Sequence, residues 1–210
     1  MYLNKNISFC IYINLDHRTD RKEHIENLLN KTDLDKSKIL RFSAIKKSPG
    51  WKGCLSSHIK CLETCKEKNI EGNILILEDD FTFIEDLLLV NNRLKEFFNN
   101  FIKFDVLHLS PRYPKISDTK NINIKKMNSG LDSGGYIINN KHIDKLLEKF
   151  YKCEKESINA EGYSHNLRLD ICWHEVQYKN NWYCFTNTIG KQIGSYSDIE
   201  NKYVVYDGYK

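Results

Sequence analysis

Hydrophobic and polar positions follow a pattern in the first half of the chain that predicts alternating strands and helices. Short apolar runs typical of buried strands are separated by longer amphipathic stretches typical of helices. This spacing favours right-handed crossovers, and so predicts an α/β fold with a mostly parallel sheet flanked by helices. The predicted strands cover residues 7–13, 39–44, 73–77, 105–109, 135–138 and 182–185, and the predicted helices cover residues 19–30, 55–68, 85–101, 141–151 and 170–178.

The pattern becomes less regular after residue 110. Two prolines and a polar composition predict a long surface loop over residues 111–126, and the polar stretch at residues 152–166 predicts an irregular, mobile segment. The chain has no internal repeat and no low-complexity linker, and its length is enough to bury one sizeable core. We therefore expect a single domain over residues 1–210.

The most informative segment is the apolar run at residues 73–77, which leads directly into Glu78, Asp79 and Asp80. A run without polar alternation is expected inside a sheet that is covered on both faces. Ligands of such sheets gather at the carboxyl ends of the strands. Oxygen-only ligands suit Mg²⁺ or Mn²⁺ that carries substrate phosphates. The alternative is a solvated acidic turn that caps the helix predicted at residues 85–101.

Composition narrows the class of protein. The 32 basic and 28 acidic residues give a net charge of +4, which is too balanced to predict a nucleic-acid partner. No stretch reaches the roughly 18 apolar residues of a membrane span, and residues 7–13 resemble a first strand more than a signal peptide. The seven cysteines are odd in number and form no CxxC pair. We therefore expect reduced thiols and a cytoplasmic protein.

The polar loop after the first predicted strand carries Arg18 and Arg21 on one side of a helical turn. A guanidinium group at a strand end suits a diphosphate, because its planar fork can donate two hydrogen bonds at once. The alternative is that both arginines only form surface ion pairs with Asp16, Asp20 or Glu23.

Four potential metal ligands, Cys54, His58, Cys61 and Cys65, follow one another along one helix face, from the residue just before the helix predicted at residues 55–68. Their spacing spreads them over roughly 16 Å of a helix face. One zinc ion holds its ligands within about 2.3 Å, so a single zinc site formed by these four residues is not expected. The cysteines fit a buried helix face better, whereas His58 with Ser57 could still reach a ligand.

Two further segments leave alternatives open. Gly134 and Gly135 stand where a strand is predicted to begin, which allows either a close approach of a ligand or backbone, or a simple turn. Asp170 precedes an apolar segment and could be either a helix N-cap or a base that faces a cleft.

Taken in order, six short motifs resemble the family 25 glycosyltransferases, which include lipooligosaccharide sugar transferases and collagen galactosyltransferases. The resemblance extends from about residue 9 to residue 199. It rests on INLDHRTDR at residues 13–21, GCLSSH at 53–58, LEDD at 77–80, GYII at 135–138, Asp170, and QIGSYSDI at 192–199.

The resemblance implies a GT-A-like, Rossmann-type fold. The implied activity is the transfer of a hexose from a UDP-sugar to a hydroxyl of a glycan or glycoprotein, with inversion. The resemblance also implies a nucleotide-sugar half at about residues 1–110 and an acceptor half at about 111–200. The implied cofactor is Mn²⁺ or Mg²⁺. The implied site residues are Glu78 and Asp80 at the metal, Asn14, Arg18, Arg21, Ser57, His58 and Asp79 around the donor, and Asp170, ahead of His174, as the catalytic base.

Two other classes of protein remain open at this point. One is a catalytically silent domain that binds a nucleotide sugar or a glycan. The other is a metal-dependent nucleotidyltransferase or phosphotransferase that uses the same acids. The chain also departs from the family pattern at Trp51 and Lys52, where relatives carry an acid and an apolar residue, and it offers no obvious third metal ligand.

Overall fold

The structure is a computed structural model that describes residues 3–160 and 164–209. The α-helices in these residues are α1 (Leu3–Asn6), α2 (Thr19–Asn30), α3 (Gly50–Glu67), α4 (Leu87–Asn100), α5 (Ile143–Ser157), α6 (Leu169–Cys172) and α7 (His174–Lys179). The strands are β1 (Phe9–Asn14), β2 (Ile39–Ser43), β3 (Asn73–Glu78), β4 (Phe81–Phe83), β5 (Val106–His108), β6 (Arg112–Ser117), β7 (Ile124–Leu131), β8 (Gly135–Asn139), β9 (Trp182–Phe185), β10 (Gly190–Gln192), β11 (Ser195–Ser197) and β12 (Lys202–Val204).

Eight of these strands form one central sheet in the order β2-β1-β3-β8-β5-β9-β7-β6. The pairs β1/β2, β1/β3 and β5/β9 are parallel, and β8 and β7 run antiparallel to their neighbours. Six of the eight strands therefore point the same way, which confirms a mostly parallel sheet, although each reversed strand adds two antiparallel pairings. Two small ribbons, β10-β4 and β11-β12, lie outside this sheet.

Both faces of the sheet are covered, as the unbroken apolar run of β3 predicts. Ile74 and Ile76 pack into a core with α3, α5, α6 and α7, whereas Leu75 and Leu77 pack into a second core with α1, α2 and α4. Successive side chains of a strand point to opposite faces, so one apolar strand contributes to both cores. The molecule is a single α/β domain with helices on both sides of its sheet. No helix in the described residues is long and apolar enough to span a membrane.

The prediction of a surface loop over residues 111–126 is wrong. Most of that segment belongs to the β6–β7 hairpin, whose outer strand β6 lies at the edge of the sheet. An edge strand tolerates Pro114 and polar side chains, so its sequence resembles a loop. The segment predicted as irregular begins inside α5, which continues to Ser157, and its residues 161–163 lie outside the described part of the chain.

The expectation that the thiols are all reduced is also wrong. Cys153 on α5 and Cys172 on α6 form a disulfide between residues that are 19 positions apart. Five other cysteines are free, and four of them are buried. Since α5 and α6 come together only in the folded chain, cysteine spacing alone does not reveal the pair.

Candidate functional site

A pocket with a cavity volume of about 220 Å³ opens at the edge of the sheet where β1, β2 and β3 end. The loops after these three strands form one wall, the first turns of α3 form a second, and residues 192–206 form a third. Because parallel strands bring their carboxyl ends to one edge, residues that are far apart in sequence meet here.

The three acidic residues after β3 all line this pocket. Asp79 and Asp80 are only 5% and 3% exposed, so they do not form a solvated turn. Nor do they cap α4, because Asp86 accepts hydrogen bonds from the backbone N–H groups of Leu88 and Leu89. The alternative of a solvated acidic cap is therefore excluded.

Arg21 compensates part of this buried negative charge. Its Nη1 atom lies 3.1 Å from Oδ1 of Asp79 and 3.0 Å from Oδ2 of Asp80, and its Nη2 atom donates to Ser195 Oγ at 2.6 Å. Burial nevertheless raises the pKa of Asp80 to about 7, since Glu78 and Asp79 add like charge that Arg21 only partly offsets. Burial likewise raises the pKa of Asp79, against the opposing effects of Arg21 and Asn14.

Glu78 has a different environment from the two aspartates. Its Oε1 atom accepts from Ser133 Oγ at 2.5 Å and lies 3.2 Å from Nε2 of His58. Burial raises the pKa of Glu78, but His58, Ser133 and Arg21 outweigh burial and hold it below the usual value. Gln192 Nε2 bridges this cluster, at 3.4 Å from Glu78 Oε2 and 3.2 Å from Asp80 Oδ1. The Glu78 and Asp80 carboxylates therefore both face the Gln192 amide.

Asn14 is buried at the end of β1, and its side chain is fully engaged. Its Nδ2 atom donates to Asp79 Oδ2 at 2.7 Å and to the Arg18 carbonyl at 3.0 Å, while its Oδ1 atom accepts from Arg41. These contacts orient the Asp79 carboxylate.

Arg18 connects the β1–α2 loop to the C-terminal segment. Its guanidinium donates to Asp20, to the Tyr196 carbonyl at 2.8 Å and to Asp198 Oδ2 at 2.6 Å. Of the ion-pair partners predicted for Arg18, Asp20 does bind it, and the sequence does not predict its second partner, Asp198. Because Asp198 lines the pocket, Arg18 holds one of its walls in place.

Ser57 and His58 lie on the first half of α3, and both line the pocket. Ser57 Oγ donates to the Gly53 carbonyl at 2.7 Å and accepts from the Ile45 N–H at 2.8 Å, which ties α3 to the loop after β2. A Cβ atom at Gly53 would lie only 2.3 Å from the Ile45 carbonyl oxygen, so glycine permits this close approach. His58 Nδ1 lies 3.0 Å from the Tyr136 hydroxyl.

Cys61 and Cys65 point into the core and not toward His58, as the helix geometry predicts. Cys54 lies apart from them, with its Sγ atom 4.0 Å from Glu78 Oε1.

Gly135 faces the Phe81 ring, where a Cβ atom would lie 2.5 Å from Cε2. The nearest neighbour at this glycine is therefore the Phe81 side chain, which is neither the ligand nor the backbone expected from the sequence.

Asp170 is the second residue of α6, so it is not the N-cap, a position that Arg168 occupies. Its Oδ2 atom accepts the Asp132 N–H at 3.3 Å, and its side chain is 13% exposed. Burial, together with the charges of Glu78 and Asp170, raises the pKa of the Cys54 thiol, but Asp170 itself is not among the described residues that line the pocket. His174 begins α7, and the neighbouring Glu175 pairs with Lys149 and Lys179 at the surface.

Several residues that line the pocket or contact its acidic cluster are not predicted from the sequence. Gln192 and Ser133 hold the acidic cluster, and Lys46 and Lys47 add cations to the wall after β2. Gln192 begins the last of the six motifs, and Ser133 precedes Gly134 and Gly135. Both residues could therefore have been found from motifs that the sequence analysis uses. No pattern marked Lys46 or Lys47 in a lysine-rich chain.

Comparison with known proteins supports the assignment of the fold. A structure described as a glycosyltransferase involved in the glycosylation of the major capsid of PBCV-1 aligns with a TM-score of 0.55 at 9% identity, covering 92% of this chain and 95% of that one. A crystal structure of a protein from STIV aligns with a TM-score of 0.51 at 14% identity, covering 96% and 95%. At these identities the likeness concerns the fold alone, which is GT-A-like.

Curated protein sequences yield no match to this chain. A family model, described as glycosyltransferase family 25 (LPS biosynthesis protein), matches residues 46–164. That segment includes α3, the acidic residues after β3 and the strand β8, and it covers more than half of the chain. The chain therefore belongs to glycosyltransferase family 25 and is a nucleotide-sugar glycosyltransferase.

Proposed function

We propose that this protein transfers a hexose from a UDP-sugar to a hydroxyl group of a glycan or glycoprotein, with inversion and with the help of Mn²⁺ or Mg²⁺. The observation that carries the proposal is that the Glu78 and Asp80 carboxylates both lie within 3.4 Å of the Gln192 amide, in a pocket at the strand ends. Family membership supports the reaction class, and the pocket supports the finer assignment.

The residues of the pocket fit a hard divalent cation. The set is made of carboxylate oxygens, which Mg²⁺ and Mn²⁺ prefer. Asp80 is buried beside two like charges, and the single guanidinium of Arg21 does not restore its usual pKa. Glu78 and Asp80 would hold the ion, because Asp79 is turned toward Asn14 at 2.7 Å, whereas Arg21 is shared between Asp79 and Asp80. A bound divalent ion would offset the charge that grows on a departing diphosphate.

Other pocket residues would act on the nucleotide. Ile13, Leu15 and Ile45 offer apolar surface, and Lys46 and Lys47 lie on the same wall. We assign phosphate binding to these lysines as well as to Arg21. Arg18, Asn14 and Ser57 then act by holding Asp198, Asp79 and the loop after β2 in position.

We assign the role of general base to Asp170, which accepts the proton of the acceptor hydroxyl as the new bond forms. Its carboxylate is held by the Asp132 N–H and lies 3.6 Å from Arg168 Nε. His174 is the second candidate.

Binding of UDP tests this proposal. A ligand at about 100 times its dissociation constant adds about 2.7 kcal/mol of stability, or roughly 5–10 °C in Tm for a domain of this size. We expect UDP to raise Tm by that amount with Mn²⁺ and by much less with EDTA. Asp80→Asn should abolish the difference between the two conditions. If UDP raised the Tm of the native protein equally with Mn²⁺ and with EDTA, the proposal that UDP binding depends on a metal would be contradicted.

A further inference from the structure

The pocket contains a second group of potential metal ligands, distinct in chemistry from the all-oxygen set. Cys54, His58 and Glu78 each offer one atom, and these atoms all lie within 4.8 Å of one another. Cys54 and His58 are four residues apart on α3, which puts them on one helix face, and Glu78 ends β3 opposite them. All three line the pocket, so an ion has access to them.

The distances are close to those that a single ion requires. Ligand atoms of a tetrahedral zinc ion, with bonds of about 2.0–2.3 Å, lie roughly 3.3–3.8 Å apart. Here His58 Nε2 is 3.2 Å and Cys54 Sγ is 4.0 Å from Glu78 Oε1. Small side-chain adjustments therefore bring the three atoms around one centre.

The surrounding hydrogen bonds would orient these ligands. The Tyr136 hydroxyl lies 3.0 Å from His58 Nδ1 and can accept a hydrogen bond from the Nδ1–H group, which leaves the Nε2 lone pair for an ion. Ser133 fixes the Glu78 carboxylate through a 2.5 Å hydrogen bond. Such outer partners set the tautomer and the orientation of metal ligands. Cys61 and Cys65 contribute to the core and play no part here.

We propose that Cys54, His58 and Glu78 form a binding site for Zn²⁺ or a similar borderline cation, with a fourth coordination position open to the pocket. One thiolate, one imidazole and one carboxylate suit zinc or cobalt, whereas Mg²⁺ and Mn²⁺ prefer oxygen alone. Because Glu78 belongs to both sets, Zn²⁺ should antagonise Mn²⁺; this consequence alone rests on the proposed function.

Cobalt absorption tests the site without any assay of activity. We expect Co²⁺ to give a thiolate charge-transfer band and tetrahedral visible bands at one ion per chain, both displaced by Zn²⁺. Cys54→Ala should abolish the thiolate band, and His58→Gln should weaken Zn²⁺ binding in calorimetry by more than about 100-fold, since loss of even an outer-shell partner costs 10–100-fold.

Two matched variants serve as controls. Cys61→Ala removes a thiol from the same helix, and Asp80→Asn removes an acid from the same pocket; both should keep the cobalt spectrum. Thermal unfolding verifies that each variant is folded, and Cys54→Ser replaces Cys54→Ala if the alanine variant is not. Absence of a thiolate band in the native protein, or its persistence in the folded Cys54 variant, would overturn the site. Loss of the spectrum in Asp80→Asn would place the ion at the acidic residues and would also overturn it.

Discussion

Arg18 donates a 2.6 Å hydrogen bond to Asp198 across 180 positions of sequence, and so joins the loop after the first strand to the C-terminal wall of the pocket. The same Nη1 atom donates to the Tyr196 carbonyl, and Asp20 binds the other side of the guanidinium. Arg18 is thus a positioning residue whose influence on a ligand passes through Asp198.

Arg18→Lys should therefore weaken UDP binding, because an ammonium group cannot keep the fork to Asp20 while it reaches Asp198. Asp198→Asn should weaken binding by a similar factor, and the double variant should be little worse than either single one. Calorimetry over the double-mutant cycle should give a coupling energy of about 1 kcal/mol. Strictly additive losses would show that the two residues act separately.

Removal of Arg21 should destabilise the fold. Arg21→Met leaves the buried Asp79 and Asp80 without their shared cation, and breaking a buried pair in this way costs about 3–5 kcal/mol. Adding Asp80→Asn to this variant should restore part of the free energy of unfolding, since it removes one of the two buried carboxylates that Arg21 no longer pairs with. Urea unfolding at neutral pH measures both effects. A loss below about 1 kcal/mol in the single variant would mean that Arg21 is not needed to balance the acids.

Asp170→Asn should lower the rate of sugar transfer while UDP binding stays nearly unchanged. The amide keeps the size of the side chain, so α6 is not disturbed, but it cannot take a proton. An interaction needed only in the transition state lowers turnover more than it raises the Michaelis constant. A wild-type rate in Asp170→Asn together with a slow His174→Ala would transfer the role of base to His174.

His108 should make the fold less stable below neutral pH. Its Nε2 atom donates to the Asp132 carbonyl at 2.8 Å and its Nδ1 atom accepts the Ser110 N–H, so the buried ring is neutral. Burial lowers the pKa of His108 to about 4, from 6.5. The unfolded chain binds the extra proton between these values, so this contribution is complete above pH 6.5 and is lost as pH falls to 4.

The lost contribution amounts to about 3 kcal/mol. The neighbouring Asp132, whose pKa is raised by burial, acts in the opposite direction, so the comparison must be made between variants. His108→Gln should show a weaker fall of unfolding free energy between pH 6.5 and 4.5 than the native protein. Parallel curves for the two proteins would refute this assignment.

Regular elements of the fold could be predicted from apolar periodicity. The helix predicted at 19–30 coincides with α2, and the strand predicted at 182–185 coincides with β9. The β6–β7 hairpin could not be predicted, because an edge strand with a solvated face lacks the apolar run that indicates a buried strand. The reversed direction of β8 also depends on tertiary pairing that a single strand does not encode.

The acidic cluster could also be located from the sequence, because an apolar run that leads directly into carboxylates indicates the carboxyl end of a buried strand. The partners of that cluster could not. Gln192, Ser133 and Arg21 reach it from three separate segments, and only the folded chain brings them together. The contact between Cys54 and Glu78 could not be predicted either, because the spacing of residues along a helix says nothing about contacts with a strand.

The central claim is that Asp80 takes part in a metal-dependent transfer from a UDP-sugar. Release of UDP from UDP-galactose, UDP-glucose and UDP-N-acetylglucosamine should be measured with Mn²⁺ and with EDTA. Asp86→Asn is the matched control, because it makes the same change at the exposed cap of α4, where asparagine also caps well. We predict Mn²⁺-dependent release from at least one donor by the native protein and by Asp86→Asn, and none by Asp80→Asn. Near-normal, Mn²⁺-dependent release by Asp80→Asn would contradict the account.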